Sequence, residues 1–535
     1  MEFKYCLLAA GPGSRNSYAC DSHKALLPVA NRAAISHLLG QLDSAHELVI
    51  AVNHRQELLR EYLAIAHPEW SVRYVEVERI DGEGSGPGFS LLACREYLDA
   101  PFVLLNSDSY LAESLPDPDH NWVGVASVKS PEPYCLFAIS DGLVSYILDK
   151  RSAGEIVALG ESLEQVLDSA FTGLAGIHDH QNFWHSLEEG EPGANGELQV
   201  AAGLSALQAN GLQTHSLSSW SDLGSDDAYL ASLQQVGGGQ FLIKPGEFVY
   251  LEGRQVIKFY ADPVMTVRRV ERAGRLKTLV PKISVQSDHF YAYLYQPGCL
   301  LTEVSNIEVF NNLLEQLRPT LFTPITLEPE QQVEFFDQCR SFYETKSRQR
   351  IDQYRQANGV GDNDWWVNGE AVPGVATLLD KIPWENLSEG VPGLFHGDFQ
   401  PENIVITDDG GTTLIDWRQD FAGETRWGDI YYDLAKLYHA LIISAPVIRA
   451  NNYAVEIKGE QVELSFQLKS NLLEFLRHFD GFIINNGWDL KRVRILTGLI
   501  YLNIAPLHHH PYSELLYYYG LRFLNRALND RELLP

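Results

Sequence analysis

A chain of 535 residues exceeds what one ordinary hydrophobic core supports, so two large domains are expected. Its 45% hydrophobic, 11% aromatic and 21% charged residues are those of a folded globular protein and exclude disordered and fibrous classes. A formal charge of -29 opposes general affinity for nucleic acid or anionic membrane, yet leaves room for a nucleotide held by a local cluster of cations and metal.

In chain order, the apolar stretch 3–10 reads as a buried first strand, and 48–53, 72–77 and 102–106 repeat its short apolar style. Between them, 33–42 and 56–66 carry apolar residues at helical spacing. This β-α-β-α alternation predicts a Rossmann-like, mostly parallel, doubly wound α/β sheet. The first strand is broken by Gly11-Pro12-Gly13, so it is too short for a signal peptide or a span, and a cytoplasmic protein without membrane insertion is expected. Six cysteines, with no CxxC pair, read as reduced thiols.

Leu7-Leu8-Ala9-Ala10-Gly11-Pro12-Gly13-Ser14-Arg15 places a glycine turn after that strand, where backbone N–H groups can approach phosphate, and Lys24 follows in His23-Lys24-Ala25-Leu26-Leu27-Pro28-Val29. The strand 102–106 runs on to Asp108, and Trp220-Ser221-Asp222-Leu223-Gly224 supplies a second carboxylate; two such groups can hold Mg²⁺ against a phosphate. Together with Gly86-Pro87-Gly88-Phe89-Ser90 and Phe171-Thr172-Gly173-Leu174-Ala175-Gly176-Ile177, these segments resemble the signature of the nucleotide-sugar and phosphocholine nucleotidyltransferases. The resemblance covers residues 1–230, with His23 standing where that family usually has Pro. It implies that Ala10, Gly11, Gly13 and Ser14 cradle a triphosphate, that Arg15 and Lys24 act on the reacting phosphates, that Gly86 lies near the nucleobase, and that Asp108 and Asp222 hold the metal.

The pattern stops at the triple glycine 237–239, which divides a nucleotidyltransferase domain, 1–236, from a second domain, 240–535. Residues 248–252 and 255–260 read as strands turning at Gly253-Arg254, followed by a basic helix at 267–279, a strand at 290–295 and long helices that include 332–355 and 468–479. Strands first and helices later predict a two-lobed α+β domain. In Phe395-His396-Gly397-Asp398-Phe399-Gln400-Pro401-Glu402-Asn403, Asp398 is spaced to orient an acceptor hydroxyl, and Asn403 and Asp416 to hold Mg²⁺. This resembles the aminoglycoside phosphotransferase and choline kinase superfamily, with Gln400 in place of the usual second His. The resemblance implies a protein-kinase-like fold in which Lys258 grips ATP phosphates, Glu271 pairs with that lysine and 293–298 forms the adenine hinge. Asp429 and Asp433, in a run like that of kinases encoded with bacterial surface-polysaccharide enzymes, read as capping and scaffold carboxylates.

Taken together, the two resemblances imply a bifunctional enzyme that phosphorylates a small hydroxyl-bearing metabolite with ATP and couples the phosphate to an NMP. Choline or a related amino alcohol with CTP is favoured, for bacterial surface polysaccharide synthesis; the alternative is a sugar kinase with a sugar-1-phosphate nucleotidyltransferase. A nucleotide sensor with one inactive domain is the rival of another class, and retention of Asp108, Asp222, Asn403 and Asp416 weighs against it. The expected partners are small-molecule substrates, with no nucleic acid, and the sequence allows a homo-oligomer. Trp365, Trp366, Trp384, Trp417, Trp427, Tyr431 and Tyr432 could cage a quaternary ammonium but read as core, and His508-His509-His510 reads as a turn.

Overall fold

The computed structural model describes residues 2–132, 134–193, 196–236 and 244–533. Compactness divides the chain into two units, Met1–Pro263 with Val285–Tyr293, and Val264–Ser284 with Leu294–Pro535. The triple glycine expected to mark the boundary lies outside the described residues.

In the first unit, strands β1 (Lys4–Leu8), β2 (Leu48–Val52), β3 (Val72–Glu76) and β4 (Phe102–Asn106) pair in parallel in the order β3-β2-β1-β4. Alternate side chains enter two cores. Tyr5, Leu7 and Ala9 join Ile50 and Val52 on one face, with Leu38 of α1 (Ala34–Leu39) and Leu59 and Tyr62 of α2 (Gln56–Ala66). Cys6, Ala10, Val49 and Ala51 join the other, with Leu91 of α3 (Pro87–Ala93), Phe183 of α4 (His180–Glu188) and Leu204 of α5 (Ala201–Gln208). A sheet covered on both faces requires strands that are apolar throughout, which is why β1, β2 and β4 read as short apolar runs, whereas β3, at the edge of the sheet, exposes Arg73 and Glu76.

Five further strands, β5 (Trp122–Ala126), β6 (Cys135–Ser140), β7 (Leu143–Asp149), β8 (Ala170–Ile177) and β9 (Gln213–Ser216), extend the sheet to nine in the order β3-β2-β1-β4-β8-β5-β9-β7-β6. Beyond β4 only β5–β9 pair in parallel. The expected parallel arrangement thus describes the half that carries the glycine turn. In the other half Asp141-Gly142, with φ of 54° and 78°, makes a tight turn that closes β6 and β7 into a hairpin.

A hairpin of β10 (Glu247–Glu252) and β11 (Gln255–Tyr260), turning at Gly253 with φ of 57°, continues through β12 (Phe290–Leu294). Phe248, Tyr250, Ile257, Phe259, Phe290 and Ala292 bury in the same core as Leu7 and Tyr62. Polar contacts reinforce the packing: Arg32 donates to both oxygens of Glu252 (3.0 and 2.7 Å), Tyr250 donates to the Leu26 carbonyl (2.6 Å), and Ser287 and the His289 N–H donate to Glu61.

After α6 (Pro263–Leu276), the second unit is mainly helical. The long helix expected over 332–355 is two helices, α7 (Pro329–Arg340) and α8 (Lys346–Asn358), joined by a π-helical turn at Ser341–Thr345. Such turns re-aim side chains within a continuous helix and recur at functional sites. At the centre, α9 (Ile430–Ile442) is buried along every residue and packs against α10 (Leu490–Ile504), which packs on α11 (Tyr512–Leu528). A small sheet of Cys299–Leu300, Ile404–Ile406 and Thr412–Leu414 carries the segment from Asp398 to Asp416. No helix among the described residues is long and apolar enough to cross a membrane.

Candidate functional site

Gly11, Gly13, Arg15, Lys24, Asp108 and Asp222 converge beyond the end of β1. Gly13 has φ of 66°, a conformation that favours glycine, and a Cβ there would meet the Lys24 Cβ at 3.2 Å; one on Gly11 would lie 3.8 Å from Lys24 Nζ. The Lys24 side chain therefore lies along the turn, with Ala10 buried at its start and Ser14 and Arg15 exposed at its tip. His23 explains how the segment tolerates the loss of Pro. Its Nδ1 accepts from the Ala25 N–H (3.1 Å) and its Nε2 bonds the Ala9 carbonyl (2.9 Å), while burial pushes the ring down to about 4 and keeps it neutral.

Lys24 Nζ reaches Asp108 Oδ2 at 3.0 Å. The short strands Ser109–Tyr110 and Ser221–Asp222 pair antiparallel, and Leu223 N–H donates to the Asp108 carbonyl, which brings the second carboxylate beside the first. A Cβ on Gly224 would lie 3.0 Å from Asp222 Oδ1 and 3.5 Å from both Arg15 Nη2 and Asp108 Oδ2, so Arg15, Asp108 and Asp222 surround one point. Two residues absent from the sequence reading complete the cluster: Tyr134 donates to Asp222 Oδ2 (3.0 Å), and Asn16 Nδ2 ties the glycine turn to the Leu223 carbonyl (2.8 Å).

The two carboxylates are driven apart in acidity. Burial would raise Asp108, but Lys24 holds it below the usual carboxylate range; burial and the Asp108 charge raise Asp222. Asp108 Oδ1 is buried without a hydrogen-bond partner among the described residues, an orphaned acceptor that a cation would satisfy. No cluster of three His, Cys, Asp or Glu side chains occurs among the described residues. A divalent ion here would take the rest of its shell from phosphate and water, which fits Mg²⁺. Gly86, with φ of 107°, permits close approach to Leu198, whose carbonyl would stand 2.7 Å from an added Cβ, and Gly173 lies against Asn106, two residues before Asp108.

In the second unit, the Gly397 turn, with φ of 86°, presents Asp398. Asn403 Nδ2 donates to the Asp398 carbonyl and to Oδ2, both at 2.9 Å, and Lys436 Nζ binds Oδ1 at 2.8 Å. The surrounding protein disfavours the Asp398 charge, but Lys436 first, then His396 and Arg418, hold its carboxyl down at about 2. It stands ionised and fixed in direction. His396 is buried, pushed down to about 4 by that burial, and spans from the Asp398 N–H to the Ile415 carbonyl, linking this loop to Asp416. Asp416 has φ of 59°, strained for a non-glycine residue and a mark of functional positions.

Asp429 and Asp433 are scaffold carboxylates, as read from the sequence. Asp429 caps α9 and accepts from Tyr343 and the Val391 N–H; Asp433 accepts from the His396 and Gly397 N–H groups at 2.7 Å and is raised to about 7 by burial. Lys436 was not singled out, although its place three residues after Asp433 puts both on one face of α9. Glu271, on α6, bonds Arg275 (3.0 Å) and Thr425 (2.8 Å). Lys258 is buried in β11 of the first unit, opposite Val249. The chain passes from one unit to the other at Tyr293–Leu294, within the expected hinge 293–298.

Several of the aromatics weighed as an ammonium cage already face protein cations: Trp427 meets Arg426 at 4.0 Å, Tyr431 meets Arg492 at 4.7 Å and Trp384 meets Arg348 at 5.6 Å. The histidines at 508–510 lie between Ala505–Leu507 and α11, and His510 pairs with Glu514 at 3.0 Å.

Residues 329–456 match the phosphotransferase enzyme family (APH). The chain is 24% identical over 139 residues to the Bifunctional protein GlmU of Methanocaldococcus jannaschii, covering 25% of this chain and 32% of that protein, so it spans about a third of the length of the curated relative it matches. Among solved structures, a Bacillus anthracis protein assigned as a glucose-1-phosphate thymidylyltransferase, solved with a sucrose, aligns at 19% identity and a TM-score of 0.36 over 44% of this chain and 96% of its own. A UTP-bound UGPase from Acinetobacter baumannii aligns at 16% identity and a TM-score of 0.35 over 44% and 94%. This mixed α/β chain therefore joins an N-terminal region similar to nucleotidyltransferases to a C-terminal segment that matches the phosphotransferase enzyme family.

Proposed function

We propose that the chain is a bifunctional kinase and nucleotidyltransferase acting in series, phosphorylating a small alcohol from ATP and then joining that phosphate to a nucleotide with release of pyrophosphate. The observation that carries the reading is that one chain holds two separate, complete sets of charged groups suited to phosphate chemistry: Arg15, Lys24, Asp108 and Asp222 in one unit, and Asp398, Asn403 and Asp416 in the other.

In the kinase step the ionised Asp398 orients the acceptor hydroxyl and receives its proton as the oxygen attacks the γ-phosphorus of ATP. In the nucleotidyl step the new phosphomonoester oxygen attacks the α-phosphorus of an NTP. Arg15 and Lys24 neutralise the charge that moves onto pyrophosphate, and the glycine turn holds the triphosphate through backbone N–H groups. Asp108 with Asp222, and Asn403 with Asp416, would hold Mg²⁺, which when bound neutralises phosphate charge and aligns the reacting groups.

CTP is proposed as the second nucleotide and a surface polysaccharide precursor as the product. Of the two acceptor classes, a sugar or related polyol is better supported than choline, because the protein's own guanidinium groups already cover aromatic faces that could have served a quaternary ammonium. The test is a paired knockout in the full chain: Asp398→Ala abolishes acceptor phosphorylation while pre-phosphorylated acceptor is still coupled to a nucleotide, and Asp222→Asn does the reverse. Unchanged phosphorylation in Asp398→Ala would overturn the kinase assignment.

A further inference from the structure

Beside Asp398 the second unit holds a cluster of cations that the phosphotransferase reading does not use. Lys346, the first residue of α8 after the π-helical turn, places Nζ 3.9 Å from the centre of the Phe342 ring, and Arg418 places its guanidinium carbon 5.2 Å from the same centre. Among the described residues, Lys346 has an aromatic face in place of a carboxylate partner, and Arg418 Nε is buried without an acceptor. Two carboxylates of this region are committed to other cations: Asp420 binds Arg268 at 3.0 Å and Asp398 binds Lys436 at 2.8 Å.

Arg418 belongs to the catalytic loop's surroundings, because its N–H donates to the His396 carbonyl and a Cβ on Gly397 would collide with the Arg418 Cβ. The Phe342 ring is held by Phe421 and by Tyr432 edge-on, their ring centres 4.5 and 4.9 Å away. Burial, then the charges of Arg418, Arg350 and Lys436, push Lys346 down to about 6, with Asp420 opposing them only in part. A guanidinium edge and a lysine amine over one aromatic ring are suited to an oxyanion of the acceptor, whose arrival would draw a proton onto the amine.

We propose that the phosphoryl acceptor carries, beside its reacting hydroxyl, a carboxylate or phosphate that Lys346 and Arg418 bind. The inference rests on the kinase reading above and narrows its substrate to an acidic alcohol, such as a hydroxy acid, an acidic sugar or a sugar phosphate. In the step itself the hydroxyl oxygen bonds to the γ-phosphorus and the bond from that phosphorus to the β,γ-bridging oxygen breaks. ADP leaves, and the hydroxyl proton passes by way of Asp398 to solvent. The anionic group is a handle and is unchanged by the reaction.

Two measurements on the full chain test this separately from the kinase reading. In the first, Mg²⁺, ATP and matched acceptors (glycerol, glycerate and glycerol 3-phosphate; glucose, glucuronate and glucose 6-phosphate; choline) are assayed for phosphorylated product by mass spectrometry. An acidic member should exceed its neutral partner in kcat/KM by at least about tenfold, the scale of one desolvated charge pair. A preference for a neutral member or for choline would overturn the proposal.

The second needs no turnover. Acetylation of Lys346 at neutral pH is followed by peptide mass spectrometry in sulfate and in chloride at equal ionic strength. Sulfate should slow the modification several-fold where chloride does not, and Arg418→Met should remove that protection. Equal rates in sulfate and chloride would overturn the anion site. Protection without phosphorylation of any acceptor would retain the site and count against the kinase reading.

Discussion

Asp398 illustrates how a single side chain is tuned by neighbours distant in sequence. Lys436 binds one of its oxygens and Asn403 the other, so the carboxylate keeps one orientation and an acidity near 2. Its charge therefore favours the folded state at any pH above the ordinary carboxylate range, and that contribution fades only as the pH falls through about 2. Substituting Lys436→Met removes the largest stabilising charge and shifts the Asp398 carboxyl upward. The acid limb of the kinase pH profile is expected to move to higher pH, with a lower kcat; an unmoved acid limb would deny Lys436 this role. Asp398, Asn403 and Asp416 could be picked out from the sequence because their spacing is short, and the structure joins the first two by a hydrogen bond. Tyr134 and Asn16 could not, since each acts through residues far away in the chain, and only the fold reveals those contacts.

At the scale of elements, β1, β2 and β4 were readable because strands buried on both faces demand apolar runs, and the first two helices because their apolar residues recur at helical spacing. The mixed half of the sheet was not, for strands β6 and β7 show no regular alternation, carry a register irregularity between Val144 and Tyr146, and are joined by the Asp141-Gly142 turn. The break between α7 and α8 was equally hidden, since a π-helical turn shifts the helical phase without a proline or glycine to announce it. Elsewhere a single carboxylate joins elements. Glu370, on the strand Glu370–Val372, accepts from Arg522 and Arg526 of α11, at 3.2 and 2.6 Å, and Arg531 lies at 3.4 Å. Arg522 is only 8% exposed, so Glu370→Gln leaves a buried cation without its counter-charge. Loss of about 3 kcal/mol of unfolding free energy is expected, checked by urea denaturation. A change within experimental scatter would mean that solvent already compensates these arginines.

For the whole molecule, the hairpin β10–β11 and strand β12 share the core of the first unit, where Phe248, Tyr250 and Phe290 pack with Tyr62. A fragment ending at residue 236 would expose that apolar face, together with the contacts to Arg32, Leu26 and Glu61. Such a fragment is expected to unfold at a lower temperature than one extended through residue 293 and to bind more of a hydrophobic dye. Equal melting of the two would show that the hairpin contributes nothing to the nucleotidyltransferase-like unit.

Serial action of the two centres is tested most directly by label transfer. The full chain is incubated with Mg²⁺, ATP labelled in its γ-phosphate, a second NTP and an acceptor that it phosphorylates. The account predicts that the label enters first a phosphomonoester of the acceptor and then a nucleotide-linked diester, with one pyrophosphate released for each diester. Label that stays in the monoester, while unlabelled and unrelated compounds are coupled to the nucleotide, would contradict it.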